Sequence, residues 1–470
     1  MAVGSTNLRR GGGGGTAVIL TPNAITIDDG SLSQSVAVSG TETGTITVER
    51  GNLPAAVNFQ VSGTTITFTG TRPPRDSADI TGRFRVTVRR GSRSSSLVVN
   101  VHLTAIVGVI MGFEWQFNNS SPALRRLEAA EGLTATAGIG TVAGQSDFDN
   151  MPIYKDIRRC NLAANGTVTA YEGETGFNFT TGDVMVEIPI FYYRVENDTT
   201  ASQYRYFISD QPLDGFLPHP AFARPAGTAD RIYVGAYETG AGHVSRSGLA
   251  PLVSQTRAQF RTGARGKGAG WALNDFAARM AVTMLMIVEF ANLNTQNIIA
   301  PGNTSTTAAL NTGRTNAIVG TGREAGTNGA TVSFVWRGIE NWWGNVWEWV
   351  DGVNRNATAL WISINPAHYA DDTSTNYTQL GFTIPTASGF LTRLGFDVNN
   401  PWAAFPNVAT GGSETTFLCD NGWFTGTGWL VARVGGSWDS AGLAGAFAWA
   451  VNNVAATTST SIGARLLFIP

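Results

Sequence analysis

The stretch RGIENWWGNVWEWVDG, residues 337–352, decides how this 470-residue chain is read. It sets Trp342, Trp343, Trp347 and Trp349 among Gly338, Gly344 and Gly352. Indoles bring large apolar area, and each buried indole N–H needs an acceptor. Glycines between them admit tight or left-handed backbone. Two later segments have the same texture: VGGSW at 434–438 and IGARLLF at 462–468. Charges placed among so many aromatics are seldom left in water. Glu348 and Arg465 are therefore expected to form a buried ion pair tying the first segment to the last. The alternative is two separate surface charges.

The order GNVWEW, then GGSW, then G-x-R near the end resembles the formylglycine-generating-enzyme-like branch of the C-type lectin fold. Pieces upstream resemble phage-encoded members more narrowly. They are Gly112-Phe113-Glu114-Trp115 with Ser121-Pro122-Ala123-Leu124, Asp214-Gly215-Phe216 with His219-Pro220-Ala221-Phe222, Val234-Gly235 with Tyr237-Glu238-Thr239, and Tyr369-Ala370-Asp371-Asp372-Thr373. The resemblance spans residues 106–470 and implies a lectin-like domain with few helices and long loops. Its oxidase members carry a pair of active-site cysteines just after the GGS element. Here 439–444 reads DSAGLA, while Cys419 precedes the motif and Cys160 is far upstream. No enzyme and no catalytic residue are expected. No nucleophile elbow, metal-ligand pair or phosphate loop occurs elsewhere. His102, His219, His243 and His368 are scattered and read as packing or surface residues.

Between 437 and 461 the chain contains no Lys, Glu, Gln or Met, and follows neither helical nor strand periodicity. This stretch resembles the variable region of proteins diversified by phage and bacterial retroelements. There, randomised adenines turn Asn codons into Asn, Ser, Thr, Asp, Ala, Gly, Val or Tyr, but not into those four residues. The resemblance implies a diversifiable ligand-binding surface over about 434–470. Its positions are Ser437, Asp439, Ser440, Ala448, Ala450, Asn452, Asn453, Thr457, Ser459 and Ser461, with Trp449 among them. Trp423 and Trp429 offer further flat contact area. Gly435, Gly436, Trp438, Gly445, Phe447, Ile462, Gly463 and Arg465 make the frame. The plain alternative is a solvated terminal loop.

Farther out, residues 16–105 read as strands only. Arg83, Arg85, Thr87 and Arg89 alternate with Phe84, Val86 and Val88, and Leu97, Val99, Val101 and Leu103 share one face. Period two with one apolar face marks a half-buried antiparallel strand. Runs at 17–27, 45–49 and 64–69 are separated by turn residues at sandwich-like spacing. Leu53-Pro54, Phe59, Gly63-Thr64 and the strand Thr65-Ile66-Thr67-Phe68 resemble bacterial immunoglobulin-like modules. The run Arg89-Arg90-Gly91-Ser92-Arg93 reads as a solvated hairpin turn. Residues 1–15, with five consecutive glycines, read as a flexible arm. Beyond 106, strands are expected at 184–195 and 204–209, helices at 121–130 and 272–292, and a long surface loop at 303–331. The class is α+β: an immunoglobulin-like β-sandwich at 16–105, then a lectin-like domain at 106–470.

Composition bounds the function. A net charge of −2 gives no electrostatic footprint for nucleic acid. Charged residues make up only 14%, against 56 Gly and 13 Trp, which suits a loop-rich β-protein better than a cytosolic enzyme. The apolar run 280–293 is too short to span a bilayer and contains Glu289, so no membrane insertion is expected. The N-terminal stretch lacks the apolar core of a secretory signal. Two cysteines make no disulfide framework, and two unpaired buried thiols are expected. Asp371, Asp372 and Thr373, or Asp351 with Asn354, group oxygen ligands of the kind calcium takes. Calcium is the single candidate cofactor, and a solvated acidic turn is the alternative. The expected protein is a phage receptor-binding component of the virion, at a tail fibre or similar exposed position, made in the host cytoplasm. Its partners would be a host cell-surface protein or glycan and other virion proteins, with homotrimers expected by analogy with phage fibres. The rivals are a capsid or tail decoration protein and a degenerate formylglycine-type enzyme.

Overall fold

The computed structural model of the protein describes residues 18–28, 30–73, 77–105, 107–326 and 331–470. The arm expected at 1–15 lies outside them. Two compact units divide between Gly108 and Val109. Strand accounts for 41% and helix for 9%, a β-rich α+β class with few helices.

The first unit holds eight strands: β1 (Ile19–Thr21), β2 (Ala24–Asp28), β3 (Ser33–Ser39), β4 (Ile46–Glu49), β5 (Val57–Ser62), β6 (Thr65–Gly70), β7 (Ile80–Arg90) and β8 (Arg93–Leu103). They form two four-stranded sheets, in orders β1-β3-β6-β5 and β2-β8-β7-β4. The alternation seen in the sequence is the packing. Val86, Val88, Leu97, Val99, Val101 and Leu103 are buried in one apolar cluster with Val36, Val38, Ile66 and Phe68 of the other sheet. The single run expected at 17–27 is two strands in different sheets, because the chain turns at Pro22. β7 and β8 pair from Ile80↔Leu103 to Arg90↔Arg93 around Gly91, whose φ is +57°. Arg89 and Arg93 there meet Glu49 (2.6 Å) and Glu42 (3.4 Å), so the arginine run is a solvated turn.

The second unit is built on three larger sheets around a single long helix. One sheet orders 125–128, 110–116, 203–209, 192–198 and 217–218. Another orders 168–171, 158–162, 183–189, 231–238, 465–468 and 271–273. The third orders 378–383, 359–362, 347–356, 429–434 and 449–453, with 462–463 running parallel beside 347–356. Helix α1 spans Arg257–Arg265 and helix α2 spans Phe276–Phe290. Asp275 caps α2, accepting from the Ala278 N–H at 2.9 Å, and Ala291 ends it in the left-handed region at φ +48°. Every residue of α2 is buried, so it is the hub of the core rather than a surface helix. Among the described residues no helix is long and apolar enough to cross a membrane.

Three expectations are corrected. Residues 121–130 form no helix. Strand Arg125–Glu128 pairs with Ile110–Gln116, and Arg125 crosses to the buried Glu114 carboxylate at 3.0 Å. Tertiary pairing here overrides the Ser-Ser-Pro start signal. The run 184–195 is two strands in two sheets, Asp183–Pro189 and Tyr192–Asp198, divided after Pro189. The third correction is partial: the described part of 303–331 is largely exposed or half-buried, as a surface loop would be, but Gly322–Arg323 form a short strand and Asn303, Thr304, Thr312 and Thr315 are buried. Their polar groups are satisfied from within: Asn303 Nδ2 donates to Asn345 Oδ1 (2.9 Å), and Thr315 Oγ1 donates to Glu340 Oε2 (2.6 Å).

Candidate ligand-binding surface

The frame begins at Arg465. Its Nε donates to Glu348 Oε1 at 2.8 Å, Nη1 to the Gly235 carbonyl (2.9 Å), and Nη2 to the Glu340 (2.8 Å) and Asn341 (3.1 Å) carbonyls. Arg465 is wholly buried and Glu348 nearly so. The expected pair is therefore present, and it joins the first and last aromatic segments. Arg279, from the first turn of α2, reaches Glu348 Oε2 at 3.4 Å and lies 3.9 Å from the Trp342 ring centre. The indoles find acceptors: Trp342 in Thr283 (3.1 Å), Trp343 in the Ala300 carbonyl (2.9 Å), Trp349 in the Gln255 carbonyl (3.1 Å). At Gly436, φ is +86° and an added Cβ would lie 2.6 Å from that of Ala444, so no other residue fits.

A second ion cluster fixes α1 to the sheet. Arg261 Nη2 meets Asp351 and Asp371, each at 2.6 Å. Arg257 meets Asp371 at 2.6 Å and donates to Asn354 Oδ1 at 2.5 Å. These are the side chains considered as calcium ligands. Guanidinium groups occupy Asp351, Asp371 and Asn354, and Asp372 stands apart from the cluster's hydrogen bonds. Burial alone would raise the Asp371 carboxyl, but Arg257 and Arg261 outweigh it and hold the group below its usual range. Among the described residues no group of His, Cys, Asp and Glu is arranged to hold a metal ion.

The eleven candidate positions separate by burial. Asp439 is exposed, and Asn452, Asn453, Thr457, Ser459 and Ser461 are half-buried. Ser437, Ser440, Ala448, Trp449 and Ala450 are buried and correct the expectation, because they belong to the frame. Ser437 N–H donates to Ser440 Oγ (2.9 Å), closing a turn. The Ala448 carbonyl accepts from Gly435 N–H (2.9 Å). Strand Trp449–Asn453 is covered on both faces over its first three residues and opens at Asn452 and Asn453. The Trp449 ring packs on Phe405 (5.1 Å) and Phe276 (5.5 Å), while Ala450 joins the cluster of Trp347 and Trp349.

Asp439, Asn452, Asn453, Ser459 and Ser461 are linked to three side chains, Arg433, Trp347 and Trp423, of which only Trp423 was expected as a contact, whereas the Thr457 N–H donates within its own turn to the Val454 carbonyl (3.0 Å). Arg433 lies over the Trp347 ring at 4.5 Å, and Trp423 meets that ring edge-on at 4.9 Å. Arg433 pairs with Ala450 in the sheet, so its strand neighbours lead into Asn452 and Asn453. Asp439 is near enough to act on its charge. Ser461 lends its carbonyl to Trp347 N–H (2.9 Å), and Ser459 Oγ sits 3.0 Å from Ser461 Oγ. The Arg433 guanidinium makes no hydrogen bond to a described residue, and its Nε is buried without a partner. Burial lowers its pKa to about 10 against the pull of Asp439, so it stays cationic at neutral pH. The signal for Arg433 was weak: in WLVARV only Trp429 and Arg433 are half-buried, while Leu430, Val431, Ala432 and Val434 are buried, so period two is broken at Val431.

Cys160 packs with Leu162, Met185 and Tyr233, and Cys419 adjoins buried Asp420. Both are free, and burial pushes each up to about 12, so neither is a thiolate at neutral pH.

No family model matches the chain, and no curated protein does. Solved structures similar to it include a Major Tropism Determinant U1 variant, at 13% identity and a TM-score of 0.27 over 83% of this chain and 82% of that one. A Major Tropism Determinant P3c variant matches at 12% and 0.24, over 92% and 91%. A chimeric titin Z1Z2 functionalised with a KLER peptide from decorin matches at 9% and 0.16, over 47% and 90%.

Proposed function

We propose that this chain is a phage host-attachment protein of the virion that binds its receptor through the C-terminal surface and carries out no catalysis. The observation that carries the reading is the division of 437–461 into a buried frame and accessible polar positions. The frame is held by the Arg465–Glu348 pair and the aromatic segments, and accessible positions on either side of it, Asp439 and Ser461, adjoin Arg433 and Trp347. Such a division suits a surface whose side chains change without unfolding the protein, as antibody loops do. In this reading the second unit is a C-type-lectin-like domain and the first an immunoglobulin-like sandwich that docks on other virion proteins. The assembly is a homotrimer by analogy with phage fibres. The free Arg433 cation on an indole face suits a carboxylate or carbonyl of a host surface protein or glycan.

The test is binding of the full-length protein to host cells, wild type against a variant with Asp439→Ala, Asn452→Ala and Asn453→Ala. Loss of binding with unchanged thermal unfolding is expected. Binding absent in the wild type, or indifferent to the three changes, would favour a particle-decorating role instead.

A further inference from the structure

A cleft of about 560 Å³ lies in the second unit, lined by segments distinct from the C-terminal surface. It falls in the size range of small-molecule sites. None of its lining residues is Asp, Glu, Lys or Arg, whereas other large clefts among the described residues carry arginine and glutamate. The apolar part comes from prolines such as Pro218 and Pro220 and from Trp402. Trp402 is held in place by Phe276 (5.3 Å) and His219 (5.9 Å). The polar part is mainly amide. Asn376 and Asn399 are exposed and Asn400 is half-buried, and the side chains of all three are turned to solvent or the cleft rather than spent in hydrogen bonds to described residues. Two of them sit on a turn built to hold still. Asp397 Oδ1 accepts from the backbone N–H of Asn399 (2.8 Å) and Asn400 (3.2 Å), and its Oδ2 ties the turn to Gly381 N–H (2.7 Å).

A primary amide both donates and accepts, as a sugar hydroxyl does. Unspent amides on a fixed turn, an apolar wall and no fixed charge fit a ligand that is uncharged, dense in hydroxyls and apolar on one face. A charged ligand would find no Asp, Glu, Lys or Arg here, the titratable lining side chains being Tyr193 and His368, whose Nε2 faces Asn365 Nδ2 at 3.3 Å, and a purely apolar ligand covering the amides would leave them unpaired. We propose that this cleft is a second ligand site, for a neutral saccharide, independent of the C-terminal surface.

The test is binding of full-length protein to maltose, lactose, cellobiose and N,N′-diacetylchitobiose, with sialyllactose as the acidic comparison, at concentrations on the order of 10 mM. Two variants probe the cleft: Asn376→Ala with Asn399→Ala and Asn400→Ala, and Thr378→Trp, which fills the cleft from an exposed strand position. Both leave Asp397 and Trp402 intact. At least one neutral saccharide is expected to bind. Each cleft variant should weaken it by roughly tenfold or more, with an unchanged unfolding midpoint, while the Asp439, Asn452 and Asn453 variant leaves it unaltered. Binding of sialyllactose alone, of no saccharide at all, or of a neutral one that survives both cleft variants would overturn the proposal. Loss of neutral binding only in the C-terminal variant would overturn it too, while leaving the attachment reading intact.

Discussion

At the scale of single residues the account turns on buried charge. Arg465 has each of its guanidinium nitrogens engaged, and its removal leaves the buried Glu348 with only the longer contact to Arg279 at 3.4 Å. Arg465→Met is expected to cost about 3–5 kcal/mol in denaturant unfolding, the range for breaking one side of a buried pair. Glu238 gives a prediction in pH. Burial dominates and lifts its carboxyl well above the usual range, against the pull of nearby Arg465. A carboxyl raised in the folded state keeps a proton that the unfolded chain has already released. Its stabilising contribution is therefore complete below the ordinary value of 4.5 and is lost as pH rises through the folded value. Glu238→Gln, a neutral isostere, should raise the unfolding midpoint relative to wild type at about pH 8 and make little difference near pH 4. An equal effect at both pH values would mean that the group is ionised in the fold. Arg433 has a different task. It anchors nothing among the described residues, so Arg433→Ala should weaken host-cell binding while shifting stability by about 1 kcal/mol or less, the part due to its indole contact.

At the scale of elements, α1 shows what the sequence reading missed and why. It was not expected, although Thr256 and Gln259 form a full capping box at its start. Apolar periodicity marks it poorly, because α1 buries only Phe260 and Ala264 as apolar side chains and is otherwise attached by charge, through Arg257 and Arg261 to Asp351 and Asp371. Arg261→Met is expected to destabilise by about 3–5 kcal/mol and Thr256→Ala by about 1 kcal/mol, both measurable by chemical denaturation. The same arginines explain why acidic residues that read as calcium ligands are spoken for: spacing shows which oxygens are close, not which cations arrive from elsewhere in the chain. Strand 449–453 was illegible for a related reason. Over its first three residues both faces are covered, by Phe276 and Phe405 on one side and by Trp347 and Trp349 on the other, so period two is lost. Its alanines then resembled a variable loop. Helix α2, by contrast, was readable from the length of its apolar run although it is buried all round and starts later than expected, after the strand at Trp271–Leu273, and the sandwich strands were readable from their alternation, because one covered face leaves a period in the sequence.

At the scale of the whole molecule the two units have separate cores. The cluster around Val36, Phe68 and Val99 shares no residue with the one around α2. A fragment of residues 109–470 is therefore expected to fold alone with the unfolding midpoint it has in the full chain, and to retain the C-terminal surface. Failure of the fragment to fold would show that the second unit needs the first. The ion pair and the aromatic frame were legible because they rest on residue types that can be satisfied in few ways. The division of the surface into frame and display was not, because Ser and Ala read alike in a turn, a buried strand and an exposed loop.

The central claim is that division, and the most direct measurement of it is saturation substitution across 437–461, scoring each variant for folding by protease resistance and for host-cell binding. Asp439, Asn452, Asn453, Thr457, Ser459 and Ser461 should accept most residues without loss of folding while binding changes. Large or charged residues at Ser437, Ser440, Ala448, Trp449 and Ala450 should cost folding first, by about 1–3 kcal/mol or more where they overpack the frame. Free substitution at the buried five, or folding lost at the accessible six with binding never altered on its own, would contradict the account.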